Sequence, residues 1–385
     1  MESVCTMKTL SALLAVFVGI SNVDAVDLDF GPAPGSPLKL AGGGHSFVMG
    51  DVNRDGKPDL VVCGGDALTV FLGHRQDGFE RTTNAPVKLP HGAGEMVMGD
   101  FNGDGILDWA GAHHDHYDVI VMLGKGTGDF KPAAGSPFTA REAGKRPHTH
   151  GLAAGDVNGD GKLDLVSANN EDDDVSVLLG DGHGGFARAP GSPFPVGRSP
   201  YPIELADVNA DGKLDVLAPN SGPGRRTVTV LLGDGRGAFR AAPHSPFRTA
   251  GNAYFVTVAD VNSDRFPDLI TTHDEDSLVT LLLGEGHGDF KAASGSPFDL
   301  GNGAWQIIAI DMDRDGDQDL VAAGQNAVAV LLGDGRGSFQ RAENSPFRTG
   351  KGSWRLALAD LNGDGKLDIV AGNVESDDIS VLLMK

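Results

Sequence analysis

Seven copies of a nine-residue acidic phrase constrain this chain more than anything else in it. They read DVNRDGKPD from Asp51, DFNGDGILD from Asp100, DVNGDGKLD from Asp156 and DVNADGKLD from Asp207. They continue as DVNSDRFPD from Asp260, DMDRDGDQD from Asp311 and DLNGDGKLD from Asp360. The first aspartates stand 49, 56, 51, 53, 51 and 49 residues apart. A fixed period of about fifty residues means stacked supersecondary units, and that length suits propeller blades.

The phrase is chemical as well as periodic. Oxygen-bearing side chains at positions 1, 3, 5 and 9, a main-chain carbonyl at 7 and Gly at 6 describe a tight loop around a hard cation. The expected ion is Ca²⁺, structural, in up to seven sites. The candidate ligands are Asp51, Asn53, Asp55, Lys57 and Asp59 in the first loop, and Asp100, Asn102, Asp104, Ile106 and Asp108 in the second. Asp156, Asn158, Asp160, Lys162 and Asp164 form the third set, and Asp207, Asn209, Asp211, Lys213 and Asp215 the fourth. Asp260, Asn262, Asp264, Phe266 and Asp268 follow, then Asp311, Asp313, Asp315, Asp317 and Asp319, then Asp360, Asn362, Asp364, Lys366 and Asp368. The position-7 residue of each set contributes only its carbonyl. An EF-hand would need Glu at position 12. Here that position holds Val62, Gly111, Ser167, Ala218, Thr271, Ala322 or Ala371, and a strand pattern follows. Two loops depart from the pattern. Arg265 replaces Gly at position 6, where a positive φ is expected, so the fifth site should be weaker. Asp313 and Asp317 make the sixth the most acidic.

Around each loop the same frame recurs. An apolar stretch precedes it, and a run such as DLVVCG, DLVSAN or DIVAGN follows it. Then come a polar gap, a second run such as VSVLLG, a DGxGxF turn and the closing SPF. Short Val- and Leu-rich runs bounded by Gly, Asn and Asp read as strands, and the Gly turns as hairpins. We label the strands A, B, C and D, with the acidic loop between A and B. Seven four-stranded units make an all-β, seven-bladed propeller. The last unit stops at strand C, ending Leu383-Met384-Lys385. The stretch LDFGPAPGSPLKL over residues 28–40 reads as its missing strand D. The N-terminal strand is therefore expected to close the ring and cover an edge that would otherwise stand unpaired.

Composition fits a single domain over residues 26–385 behind a signal peptide over 1–25. Lys8 supplies the basic region, residues 10–20 the apolar stretch, and Val23-Asp24-Ala25 a cleavage site; Met7 is a second possible start. The expected location is secreted, periplasmic or extracellular, with no membrane span in the mature chain. Cys63 is the one cysteine left after cleavage, so metal rather than sulfur is the expected staple. The loop carboxylates at positions 1, 3, 5 and 9 number three in six loops and four in the sixth, which equals the formal charge of −22. No basic face is evident, which argues against a nucleic-acid partner.

The loops and their spacing resemble the FG-GAP or VCBS repeats, the propellers of integrin α-subunits and many exported bacterial proteins. Certain fungal sugar-binding lectins have similar propellers. The resemblance spans about residues 26–385. It implies Ca²⁺ loops between strands A and B and ligand binding on the opposite face. It names no ligand, because propellers host many functions.

Chain direction places the A–B loops and C–D turns on one rim, and the B–C gaps and D–A connections on the other. The second rim varies most and is the candidate binding face. Six residues before each first Asp stand His45, Gly94, His150, Tyr201, Tyr254, Trp305 and Trp354. Four of the chain's six Trp and Tyr fall at this one register. The candidate ligand-binding residues are therefore His45, His150, Tyr201, Tyr254, Trp305 and Trp354, a platform for an extracellular glycan or protein ligand. The competing account is packing between blades, which would make them core. His113, His114, His116, His148 and His150 lie on adjoining rim loops of blades two and three. One reading is a transition-metal site, and the favoured one is a solvated histidine-rich loop, since the spacing matches no established metal pattern. There is no GxSxG, HExxH or paired Cys–His constellation. The expectation is a binding or adhesion module rather than an enzyme. The alternatives are a lyase-like enzyme acting on polysaccharide in the top funnel, and a protein-interaction scaffold. A rim acid or histidine with a strongly shifted pKa would favour the enzyme.

Overall fold

The computed structural model describes residues 28–40, 46–74, 78–82, 86–222, 224–273, 276–301 and 303–385. The expected signal segment over residues 1–25 and the ring candidate His45 lie outside the described residues.

Seven antiparallel sheets, one per repeat, form the ring of blades. Blade three shows the plan. Strand A is Thr149–Gly155, B is Asp164–Asn169, C is Asp174–Gly180 and D is Phe186–Arg188. Its B and C runs are buried on both faces, as expected of strands sandwiched between neighbours. The core is correspondingly divided. Seven apolar clusters each join side chains of adjacent blades, such as Val61, Val70, Trp109 and Ile120 between blades one and two. Among the described residues the one helical element is a short 3₁₀ turn over Asn170–Asp172. No described helix is long and apolar enough to cross a membrane.

The N-terminal segment completes the last blade as expected. Phe30–Pro32 pairs with Asp378–Met384, placing Phe30 opposite Met384 and Pro32 opposite Leu382. Lys39 then pairs with the Asp378 carboxylate at 2.7 Å.

Each blade also carries a feature that the four-strand plan lacks. Strand D covers only the end of strand C. A two-residue strand such as Phe194–Pro195 then pairs with the start of strand C, after a Ser-Pro turn in six blades, where the sequence of the first has Ala85-Pro86. The serine hydroxyl fixes the turn. Ser136, Ser192, Ser245, Ser296 and Ser345 each accept a strand-C backbone N–H at 2.9 Å, and Ser36 does so for the closing blade.

The two rims separate as expected. C–D turns hydrogen-bond to the acidic loop of the preceding blade, as Gly184 N–H to Phe101 O and Gly237 N–H to Val157 O. B–C gaps bond to the next strand-A region on the other rim. Thr149 Oγ1 donates to His116 O at 3.1 Å, and Ser221 Oγ to Ala253 O at 2.7 Å.

Candidate functional site

The acidic loops are built by their own side chains. In all seven, the position-3 side-chain oxygen accepts the N–H of position 5, and the position-5 carboxylate accepts the N–H of position 7. These are Asx turns stacked in series. Position 6 has positive φ throughout, and Arg265 adopts it at φ 74°. Position 4 is left-handed too, although only three loops place Gly there: Arg54, Ala210, Ser263 and Arg314 hold φ between 60° and 67°. The sequence reading missed this second strained position.

Position 9 has a role that spacing did not reveal. Asp59, Asp108, Asp164, Asp215, Asp268, Asp319 and Asp368 are all fully buried. Each carboxylate accepts one N–H from loop position 2 and another from strand C, at 2.7–3.0 Å. It therefore clips the loop to a strand two places away. Burial pushes these carboxyls up to about 6, and Asp215 to about 7, with the other loop acids adding to the rise and the two N–H bonds opposing it. The sixth loop stands apart. Asp311 Oδ1 is buried with no hydrogen-bond partner, and oxygens of Asp311, Asp313 and Asp315 lie within 4.8 Å of one another.

On the opposite rim the aromatic register converges. His150 stacks on Tyr201 with centroids 4.0 Å apart, and Tyr201 meets Tyr254 at 4.4 Å. Tyr254 touches Trp305 at 5.2 Å and Trp354 at 5.6 Å, and the two indoles stack at 5.1 Å. Tyr254 belongs to blade five and Trp354 to blade seven, so these rings reach inward rather than lying between neighbouring blades. Backbone irregularity aims three of them. The A–B pairing slips at His150, at Tyr254–Phe255 and at Trp354. Such bulges re-aim side chains. His150 and Tyr254 are buried, while Tyr201, Trp305 and Trp354 are partly open. Trp305 also packs against the core between blades six and seven, so packing and exposure are both present in the row.

Blade two leaves a gap at this register with Gly94, and Glu95 fills it from the next position. Its carboxylate pairs with Arg355 of blade seven, whose guanidinium lies 5.2 Å over the Phe255 ring. Burial raises the Glu95 carboxyl, with Arg355 opposing. This cross-channel ion pair escaped the sequence reading; its trace is two charges one residue past the aromatic register.

The histidines gather rather than spread. His91, His113 and His116 form one cluster, and His114, His148 and His150 another. His91 was not foreseen, because it comes from the connection entering blade two. Burial lowers the pKa of His113, His114 and His148 and takes His150 down to about 2.

Comparisons with known proteins agree with this architecture. The FG-GAP-like repeat family matches residues 51–111, 100–167, 156–218, 261–322 and 311–371. A lectin of Agrocybe aegerita, described by its recognition of non-reducing terminal N-acetylglucosamine, is 18% identical with a TM-score of 0.54, over 86% of each chain. BBS1N, solved in complex with ARL6DN, is 12% identical with a TM-score of 0.60, over 94% of this chain and 98% of its own. Sqt1 of Saccharomyces cerevisiae is 11% identical with a TM-score of 0.56, over 91% and 99%. At such identities these likenesses show the fold alone. No curated protein matches in sequence.

Proposed function

This chain belongs to the FG-GAP-like repeat family, and from that premise we propose that it is an exported, Ca²⁺-stabilised propeller that binds a glycan at the aromatic mouth of its channel. The observation that carries the reading is the unbroken row from His150 through Tyr201 and Tyr254 to Trp305 and Trp354. Partly open aromatic faces bury the apolar faces of sugars, and the lopsided row gives one adhesive side. The lectin among the structural neighbours supports the same use. The N-terminal signal pattern supports export.

Calcium would be held by the side-chain oxygens of positions 1, 3, 5 and 9 and the carbonyl of position 7. The donor set is all hard oxygen, the position-9 carboxyl is buried, and Asp311 Oδ1 lacks a partner; each of these fits a hard divalent cation. The ions would fasten strand A to strand B on the rim away from the ligand.

A glycan array that includes structures ending in N-acetylglucosamine, run on the parent and on Trp354→Ala, tests the site. Trp354 lies outside every apolar core cluster. Its loss should leave the melting temperature nearly unchanged and weaken binding by roughly 1 kcal/mol or more. Unchanged affinity would remove the row from the binding site. A catalytic use of the same mouth is the second reading, supported by the shifted Glu95 and His150. Glu95 is already committed to Arg355, which makes binding the stronger reading.

A further inference from the structure

Two histidine triads stand side by side on the rim, and their ring geometry separates them. An imidazole lone pair lies in the plane of its ring, so three rings can share one cation only if their planes converge. In the first triad the His91 and His116 rings are parallel, 2° apart at 4.2 Å, so their lone pairs lie in separate planes. His113 Nδ1 in that triad accepts the Asp115 N–H at 3.1 Å. That fixes the tautomer with its proton on Nε2, the wrong form for ligation through Nε2. His91 Nδ1 meets Gly92 O at 3.0 Å, while its Nε2 lies 3.0 Å from Asp118 Oδ1 without hydrogen-bond geometry, a neighbour that would hold a charged ring. The parallel His91 and His116 rings and the His113 tautomer, not full hydrogen bonding, keep that triad from converging on one ion.

The second triad is arranged differently. The His114, His148 and His150 rings sit 4.0–4.4 Å apart with interplanar angles of 59°, 80° and 63°. One nitrogen from each lies within 4.8 Å of the others. His148 Nε2 and His150 Nε2 face each other at 2.7 Å, with at most one proton between them in the neutral pair. His148 Nδ1 is buried with no hydrogen-bond partner. The backbone sets these positions before any ion arrives. Asn170 N–H bonds to His148 O at 2.8 Å, and Thr149 Oγ1 ties the strand to the blade-two gap through His116 O. Carboxylates of Asp115 and Glu171 act on the cluster, opposed by the Arg146 guanidinium.

We propose that His114, His148 and His150 form a three-imidazole site for a divalent transition-metal cation of the zinc class. Imidazole nitrogen suits such borderline ions, whereas the acidic loops offer only hard oxygen that suits calcium. Three protein ligands leave one coordination position for water or an external ligand. The site abuts the aromatic row, because His150 is both a ligand and the ring that stacks on Tyr201. It does not depend on what the row binds.

The test is calorimetric titration of Zn²⁺ into the full chain, stripped with EDTA and returned to excess Ca²⁺, with visible absorption of Co²⁺ as the spectroscopic check. One Zn²⁺ per chain is expected, with a tetrahedral Co²⁺ spectrum that Zn²⁺ abolishes. His114→Ala and His148→Ala should each weaken Zn²⁺ binding roughly tenfold or more. His116→Ala, in the neighbouring stack, should leave it unchanged. His114 lies at the rim with its ring against His148 and His150, so a thermal melt of its variant recorded beside the titration separates ligation from folding. No Zn²⁺ uptake, or uptake indifferent to His114→Ala and His148→Ala, would overturn the assignment. So would loss of uptake in His116→Ala alone.

Discussion

Asn169, Asn220 and Asn373 end strand B in blades three, four and seven, and His273 stands at that register in blade five. Each asparagine donates to two side chains on strand C, as Asn169 does to Asp174 and Ser176. His273 does the same work with a titratable ring. Its Nδ1 meets Asp276 at 3.1 Å, and its Nε2 accepts from Thr280 and the Gly251 N–H. Burial lowers its pKa, with Asp276 opposing. The sign follows from proton uptake. Above about pH 6.5 both the folded and unfolded states hold a neutral ring, and below it the unfolded chain takes a proton that the folded site resists. Stability is therefore lost as the pH falls below 6.5. His273→Asn installs the residue that three other blades use, so it should cost less than about 1 kcal/mol at pH 7.5. Between pH 7.5 and 5.5 its melting temperature should fall less than that of the parent; an equal fall would show that the ring titrates freely. Such detail was only partly legible in the chain. The recurring Asn was visible, but its partners were not, because they lie on another strand.

At the scale of elements, strand boundaries followed the apolar runs, while the short strands did not. A two-residue pairing such as Phe247–Arg248 is too brief to leave a periodic pattern. The Ser-Pro-Phe marker was visible; its second contact with strand C needed the fold. The closing strand was legible because a blade lacking strand D and a strand D lacking a blade occur at opposite ends of the sequence. Leu28 and Ala33 are buried there, and Ala33 N–H bonds to Val381 O at 2.9 Å. Deleting residues 28–40 should bare the edge of Asp378–Met384, lower the melting temperature and produce association visible by sedimentation. A deleted chain that stays monomeric and melts like the parent would show that the strand is dispensable.

For the whole molecule, stability should be coupled to calcium. Seven blades each carry at least three loop carboxylates, and only a few have a lysine beside them, as Lys57 lies 3.2 Å from Asp55. A site at a hundred times its Kd adds about 2.7 kcal/mol by mass action. EDTA should therefore lower the melting temperature by many degrees and excess Ca²⁺ should restore it; an identical melt in verified metal-free buffer would refute the coupling. The sequence by itself determined the number of blades, the strand order, the closing strand and the placing of every acidic loop. Those features are written in period and spacing, which are local and repeat seven times. Tertiary structure alone decided what meets at the axis: the Glu95–Arg355 pair, the stacking of Trp305 on Trp354, and the sorting of six histidines into a stack and a convergent triad. These contacts join residues up to 260 positions apart. They depend on bulges and ring orientations, and neither leaves a trace in a one-dimensional pattern.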